Sequence, residues 1–203
     1  MRYLALIVLV LVATGCHPAL ISPEPLLAGD ECASVGVVGY GDMGNPPRLF
    51  GDAAIQSRIG VGSGVDVGAR IGLMSGLYAD VKWNVLAFPF LLSADLGGSY
   101  EPWKEHDIGG SRILDTLALG VYPALLFGTR TLYGGVRVAS RYRYGRSNSS
   151  FRGWDISPGI LVGASFGDIN RIMPGIEVAK GRDGMSWTAS VNIEGHKLKR
   201  ELP

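Results

Sequence analysis

Apolar and polar residues alternate with a period of two along most of this chain. The clearest stretch is residues 65–73, where the odd positions are Val, Val, Ala, Ile and Leu and the even positions are Asp, Gly, Arg and Gly. Residues 77–85 and 185–194 show the same pattern. Successive side chains of a strand point to opposite faces, whereas apolar positions of a helix recur about every 3.6 residues. The pattern therefore predicts strands that have one apolar and one polar face.

This pattern predicts about ten strands, within a range of eight to ten. They are placed at residues 33–40, 52–62, 65–74, 77–86, 89–99, 114–127, 131–144, 153–166, 169–180 and 185–195. Most have at least the roughly 9–11 residues of a tilted membrane strand. Pro123, Pro158 and Pro174 fall inside strands, and we expect bulges or kinks there because proline cannot donate to a ladder. The predicted fold class is all-β, an antiparallel up-and-down transmembrane β-barrel.

Charge is confined almost entirely to the polar phase of these strands. On the apolar phase, essentially the only charged residue is Lys180, at a strand end. A lipid-facing charge costs about 2–4 kcal/mol at mid-membrane, so a barrel wall in lipid must exclude charge. The polar phase carries a predicted lumen charge network: Arg58, Asp66, Arg70, Asp80, Lys82, Asp95, Arg137, Arg141, Arg143, Asp155, Arg171, Glu177 and Glu194.

The near-equal numbers of basic and acidic residues in this network favour mutual pairing across a narrow interior. Ten strands is close to the eight at which side chains fill a barrel, and far from the roughly sixteen of open channels. We therefore predict a lumen closed by paired charges. Glycines on the same phase are expected to leave room for the long arginine side chains: Gly68, Gly72, Gly120 and Gly159.

Aromatic residues and connection lengths also favour a membrane barrel. Aromatic residues lie on the apolar phase, mostly towards strand ends, where interfacial girdles belong: Trp83, Tyr100, Phe127, Tyr142, Tyr144, Trp154, Phe166 and Trp187. Long connections are predicted at 40–51, 100–113 and 145–152, and the intervening ones are short. Outer-membrane barrels have short periplasmic turns and longer extracellular loops, so an even strand count predicts periplasmic termini.

The N-terminus predicts export. Met1-Arg2 is basic, residues 3–12 are apolar, and Ala13-Thr14-Gly15-Cys16 follows. This junction resembles the lipobox of bacterial lipoproteins, although Leu is commoner at the place of Ala13. The resemblance implies cleavage before Cys16 and addition of diacylglycerol and palmitate to it. The residue after the cysteine, His17, favours the outer over the inner membrane in that family.

The chain is accordingly divided into a lipoprotein signal peptide (1–15), a proline-containing tether (16–31), a barrel domain (32–196) and a basic tail (197–203). If Cys16 is acylated, the second cysteine, Cys32, has no partner for an intrachain disulfide and is interpreted as a small inert residue. Many outer-membrane barrels end in an aromatic residue that the assembly machinery recognises, and this tail departs from that pattern.

The composition and the short motifs of the chain give little indication of a binding site for nucleic acid, metal or phosphate. Net charge is +1, which gives no reason to expect a nucleic-acid partner, and mean hydropathy of +0.21 with 30 glycines fits dispersed apolar strands. No Cys/His spacing predicts a metal site and no cofactor is expected. Gly60–Gly64 is interpreted as a strand–turn–strand rather than a phosphate cradle, and Tyr142–Arg146 as interfacial tyrosines with arginines facing the lumen or lipopolysaccharide phosphates.

The remaining candidate chemistry lies in the predicted loop 100–113. His106-Asp107, with Ser111 nearby, is similar in residue type to the His with Asp or Ser of outer-membrane barrel hydrolases, but no motif surrounds it, so no catalytic residue is predicted. His196 is interpreted as part of the solvated tail.

The function expected is that of a small outer-membrane barrel lipoprotein of structural or narrow-pore type, not an enzyme. Its expected partners are outer-membrane lipid, lipopolysaccharide and the barrel-assembly and lipoprotein-sorting machineries. Two alternatives stay open: a lipid-tethered soluble periplasmic barrel that binds a hydrophobic ligand in an apolar interior, and a barrel hydrolase acting on lipid or peptide.

Overall fold

The computed structural model describes residues 24, 26–42, 48–73, 75–86, 89–106, 113–145, 153–168, 170–181 and 184–197. Ten strands account for most of them. They are β1 (Glu31–Asp42), β2 (Arg48–Gly62), β3 (Val65–Gly72), β4 (Gly76–Leu86), β5 (Leu91–His106), β6 (Ile113–Gly128), β7 (Leu132–Gly145), β8 (Gly153–Ala164), β9 (Asn170–Gly181) and β10 (Gly184–Lys197). In this part of the chain, no helix is long and apolar enough to cross a membrane.

The strands form one closed barrel in which each pairs antiparallel with its sequence neighbours and β1 pairs with β10. Glu31 lies opposite Lys197 at one end of this closing seam, and Asp42 lies opposite Ser186 at the other. The predicted fold class, an antiparallel up-and-down barrel of about ten strands, is confirmed. We call the end where β1 begins and β10 ends the terminal end, and the opposite end the loop end.

Two predicted loops are largely strand. β1 continues to Asp42 and β2 begins at Arg48, and the β5–β6 ladder continues outwards until His106 lies opposite Ile113. Apolar and polar residues alternate where the two faces of a strand have different surroundings, and they do not alternate where both faces have similar surroundings. Backbone pairing does not need that difference, so the hairpins extend beyond the alternating segments.

The expected bulges at the three prolines are not observed. Pairing of β6 with β7 stops at Val121 and resumes at Ala124 without a change of register, which leaves Pro123 in the gap. The β8–β9 ladder covers only Gly159 to Gly163, between Pro158 on β8 and Pro174 on β9. Because proline lacks an N–H group, the ladder is interrupted locally and needs no inserted residue. Register shifts lie elsewhere, at Gly60/Gly62 and Asn84/Leu86.

The barrel is apolar outside and polar inside. Ile55, Leu96 and Ile160 point outwards with exposures of 65%, 58% and 66%, whereas Asp66 and Lys82 point inwards with 0% and 2%. Among strand residues whose side chains are described, the charged ones that face outwards are Glu31 and Lys180, both near strand ends. This orientation belongs to barrels of the transmembrane type. It is opposite to that required by a soluble barrel with an apolar ligand cavity.

Outward aromatic residues form two belts. Towards the terminal end lie Trp83, Phe90, Phe127 and Phe166, and towards the loop end lie Tyr100 and Trp154, with Trp154 beside Tyr142 at a ring-centroid distance of 5.4 Å. Leu119, which pairs with Tyr100 and Tyr142, precedes Phe127 by eight residues. At about 3.3 Å per residue and a tilt near 40°, the belts are roughly 20 Å apart along the axis, close to the roughly 25 Å apolar band of outer-membrane barrels.

Candidate functional site: the lumen and its terminal mouth

A buried charge cluster occupies the lumen beside β2, β3 and β4. Arg58 donates from Nε to Asp66 Oδ1 at 2.9 Å and from Nη1 to Asp80 Oδ2 at 2.5 Å, and its Nη2 also contacts Asp66. Lys82 Nζ lies 3.3 Å from the other oxygen of Asp66. The side chains of all four residues are at most 4% exposed. Asp66 therefore faces two cations at once, and its 2.9 Å bond from Arg58 has the length typical of a charge-assisted hydrogen bond.

Neighbouring polar groups extend this cluster. Asn84 Nδ2 donates to the Gly64 carbonyl at 2.8 Å and approaches Asp66 at 3.4 Å, and Ser93 Oγ donates to Asn84 Oδ1 at 2.8 Å. Asp95 is buried on β5 in register with Lys82. A second ion pair crosses the lumen from β7 to β9, where Arg137 Nε donates to Glu177 Oε1 at 3.2 Å and both side chains are 4% exposed.

A tyrosine layer also occupies the lumen, beside the Arg137–Glu177 pair. The rings of Tyr78 and Tyr122 meet edge to face at 5.8 Å and pack with Leu126, Ala139 and Leu161. Two further cations of the predicted network contact this layer: Arg70 lies 5.4 Å from the Tyr78 ring centroid, and Arg141 donates from Nε to Tyr122 Oη at 3.1 Å. The interior is therefore not purely polar. Cation–π contacts and a phenol hydroxyl accommodate the arginines inside the layer.

Half of the six interior glycines considered next make room for tyrosine rings, and one makes room for an arginine. A Cβ on Gly68 would lie 2.7 Å from Arg58 Nη1, which confirms the expectation at that position. The expectation is wrong for the other three, because the nearest groups are Ser75 and Asp52 at Gly72, Tyr122 at Gly120, and Ala179 and Glu177 at Gly159. Gly97 and Gly163 likewise accommodate the rings of Tyr78 and Tyr133. Phenol rings thus occupy the space left by missing side chains, from the neighbouring strand at Gly97 and Gly163 and from the same strand at Gly120.

Most of the predicted network faces the lumen. The buried members are Arg58, Asp66, Arg70, Asp80, Lys82, Asp95, Arg137, Arg141, Glu177 and Glu194. Asp155 and Arg171 are half-buried, and the side chain of Arg143 lies outside the described part of the chain. These residues contribute to the Asp66 cluster, the Arg137–Glu177 pair, the tyrosine layer and the terminal mouth.

The end of the predicted tether packs into the terminal mouth. Leu26 is 7% exposed, Gly29 N donates to Gly60 O at 2.8 Å, and Gly60 N donates to Asp30 O at 3.0 Å. Lys82 Nζ donates to the Glu24 carbonyl at 2.6 Å, and the Glu24 carboxylate contacts Arg171. These contacts make residues 24 and 26–30 a cap over the lumen. We call this segment the N-terminal cap.

A small cavity lies under the cap. Its lining includes Cys32, Glu194 and His196 together with Glu24 and Arg171. His196 belongs to β10 and pairs in register with Cys32, so its assignment to a solvated tail is wrong. Sequence spacing could not reveal this group, because its members are brought together by closure of β1 on β10.

The side chains of several other candidate residues are not among those that the structure describes. Cys16, Asp107 and Ser111 are outside the described residues, and His106 is described only as the last residue of β5. Gly60–Gly64 forms the predicted strand–turn–strand, in which Ser63 and Gly64 have φ values of 52° and 73°.

No protein-family model and no curated protein matches the chain. Among solved structures the chain is similar to Ail, the attachment invasion locus protein of Yersinia pestis, with 10% identity, a TM-score of 0.36, and coverage of 84% of this chain and 100% of that chain. A similarity this low transfers no function to this chain.

Proposed function

We propose that this protein is a small outer-membrane β-barrel lipoprotein whose role is structural and whose lumen does not conduct. The observation that carries the proposal is the inverted distribution of polarity: apolar side chains cover the outside and charged ones are buried inside. In water, that outer surface would be a very large exposed apolar patch, which is uncommon on soluble monomers. In a bilayer the same surface is matched to lipid, and the aromatic belts lie at its two edges.

The orientation follows from the anchor. Cys16 precedes Glu24 by eight residues, which span at most about 29 Å when fully extended. Because Glu24 lies in the terminal mouth, an acyl chain on Cys16 reaches the leaflet on the same side as the terminal end. A lipoprotein delivered from the periplasm is inserted in the inner leaflet of the outer membrane. The terminal end is thereby placed in the periplasm and the loop end towards lipopolysaccharide.

A closed lumen follows from how the interior is filled. Three groups of residues fill or cover the interior: the N-terminal cap, the Asp66 cluster and the tyrosine layer. Tyr122 and Leu126, in that layer, are 0% and 1% exposed. Opposite charges are paired rather than arranged as a ring of one sign, which is the arrangement of an ion-selective filter.

The test uses the mature domain with Cys16→Ser, beside the wild type expressed in a bacterium that has an outer membrane. We expect Cys16→Ser to block lipid addition, which mass spectrometry of the N-terminus detects. We expect the unlipidated barrel to stay in membranes after carbonate extraction and to migrate differently on gels when unheated. A variant that is freely soluble without detergent would refute membrane insertion.

Planar-bilayer recording of the purified barrel tests the closed lumen separately. We expect little steady conductance. Large, steady, porin-like conductance from the monomer would refute the closed lumen and would leave the membrane assignment intact.

A further inference from the structure

The closing seam of the barrel brings together one thiol, one carboxylate and one imidazole. Cys32 on β1 pairs in register with His196 on β10, and Glu194 lies two residues before His196 on the same face of that strand. One potential ligand atom from each residue lies within 4.8 Å of the other two. His196 Nε2 already contacts Glu194 Oε1, which holds two of the three groups together. Cys32 and Glu194 are buried, and His196 is half-buried.

The ligand types suit a zinc-class ion. Zn²⁺ is bound by Cys, His and carboxylate at about 2.0–2.3 Å, and three protein ligands with an open fourth position is a common arrangement. Tetrahedral bonds of that length put ligand atoms roughly 3.3–3.8 Å apart, so side-chain movements of about 1 Å suffice. A thiolate and a carboxylate together neutralise a divalent cation, so the occupied site carries no net charge in its buried surroundings.

The surroundings leave these ligands available. The neighbouring cations contact other carboxylates: Arg58 contacts Asp66 and Asp80, Lys82 contacts Asp66, and Arg171 contacts Glu24. The cavity that the cluster lines also borders the N-terminal cap, at the terminal end of the barrel. The chain has two cysteines, and Cys16 is the proposed acylation site, which leaves Cys32 as a free thiol.

We propose that Cys32, Glu194 and His196 form a binding site for a Zn²⁺-class transition-metal ion at the terminal mouth. On binding, Cys32 releases its thiol proton to water and coordinates through Sγ. His196 coordinates through Nε2 as a neutral ring, Glu194 contributes a carboxylate oxygen, and water completes the tetrahedron. Because β1 and β10 each contribute a ligand, the ion fastens the seam at which the barrel closes.

The test uses the untagged, refolded mature domain carrying Cys16→Ser and His17→Gln. In this background Cys32 is the single thiol, and the histidines are His106 and His196. Titration with Co²⁺ is expected to give one equivalent of binding with thiolate-to-metal charge-transfer absorption, and Zn²⁺ is expected to displace it. Zn²⁺ is also expected to slow maleimide labelling of Cys32.

Three added substitutions separate this site from adventitious binding. Cys32→Ser should abolish the charge-transfer absorption, and His196→Gln should weaken Co²⁺ binding at least tenfold. His106→Gln, at the loop end, is the matched control and should bind as the background does. Gel migration without heating verifies that each variant is folded. Folded background protein without thiolate absorption, or equal affinity in His196→Gln and His106→Gln, would overturn the proposal.

Discussion

Asp66→Asn should be among the most damaging isosteric substitutions in this protein. The Asp66 carboxylate is fully buried and receives Arg58 Nε at 2.9 Å and Lys82 Nζ at 3.3 Å. The amide keeps the volume but removes the negative charge that faces both the Arg58 guanidinium and the Lys82 ammonium. Removing one partner of a buried ion pair typically costs about 3–5 kcal/mol, because an uncompensated charge remains. We expect the free energy of unfolding to fall by about that amount.

The measurement is a reversible urea titration of the barrel refolded in liposomes, followed by tryptophan fluorescence. Trp83 and Trp154 point outwards with exposures of 56% and 61%, so their emission reports transfer from lipid to water. Asp168→Asn, in an exposed turn, is the matched control and should change stability by less than about 0.5 kcal/mol. Asp66→Asn with Lys82→Met restores the charge balance and should recover at least about 1 kcal/mol.

Two results would refute this reasoning. If the free energy of unfolding of Asp66→Asn is within about 1 kcal/mol of the wild-type value, the cluster is hydrated or adaptable and does not behave as a buried ion network. If the double variant is no more stable than Asp66→Asn, the loss comes from geometry around residue 66 and not from the charge left on Lys82.

Three further predictions concern the outer face, the glycine positions and the cap. Leu96→Arg, at the level midway between the aromatic belts, should lower the free energy of unfolding in liposomes by about 2–4 kcal/mol. Leu73→Arg, just beyond β3, should lower it by at most about 1 kcal/mol. Equal losses for the two variants would contradict a lipid-facing wall. Gly163→Val should lower the free energy of unfolding by about 1–3 kcal/mol in the same titration, because a Cβ at residue 163 would lie 2.6 Å from Tyr133 Cζ. Gly98→Ala is the control and should be nearly neutral, because the atom nearest to a Cβ at residue 98 is 3.6 Å away. Glu24→Gln should loosen the N-terminal cap and speed its proteolysis several-fold, measured by N-terminal sequencing of the fragments, with Leu27→Ser (72% exposed) as the control that leaves the rate unchanged.

The strands were predictable because their two faces have opposite surroundings. On β3, Asp66 and Arg70 point inwards while Ala69 and Ile71 point outwards, so one period-two pattern defines both the strand and its orientation. The same signal is absent from Glu101–His106, where the β5–β6 hairpin continues. Strand ends therefore remain the least predictable feature, since backbone pairing continues without a sequence pattern.

The interior was only partly predictable. Ten of the charged residues on the polar phase are buried, but their partners depend on register and on the position of neighbouring glycines. The sequence did not predict that Tyr78 and Tyr122 pack as a layer. A tyrosine on the polar phase of one strand predicts such packing only if it is known to lie beside a glycine on the adjacent strand. The Cys32–Glu194–His196 cluster depends on closure of the first strand on the last, which no local pattern encodes.

The lumen and the anchor are connected by the position of the cap. Glu24 contacts Arg171 on β9, and its carbonyl accepts from Lys82 on β4, so the cap is held from both sides of the barrel mouth. An acyl chain on Cys16 would fix the start of this short segment at the membrane surface, and the barrel would fix its end. With the proposed acylation, the segment would stay near the mouth even when its contacts break, which would raise its effective concentration there and favour reclosure. Lipidation would thus determine the localisation of the protein and also help to keep the lumen closed, because it would hold the cap beside the opening that the cap covers.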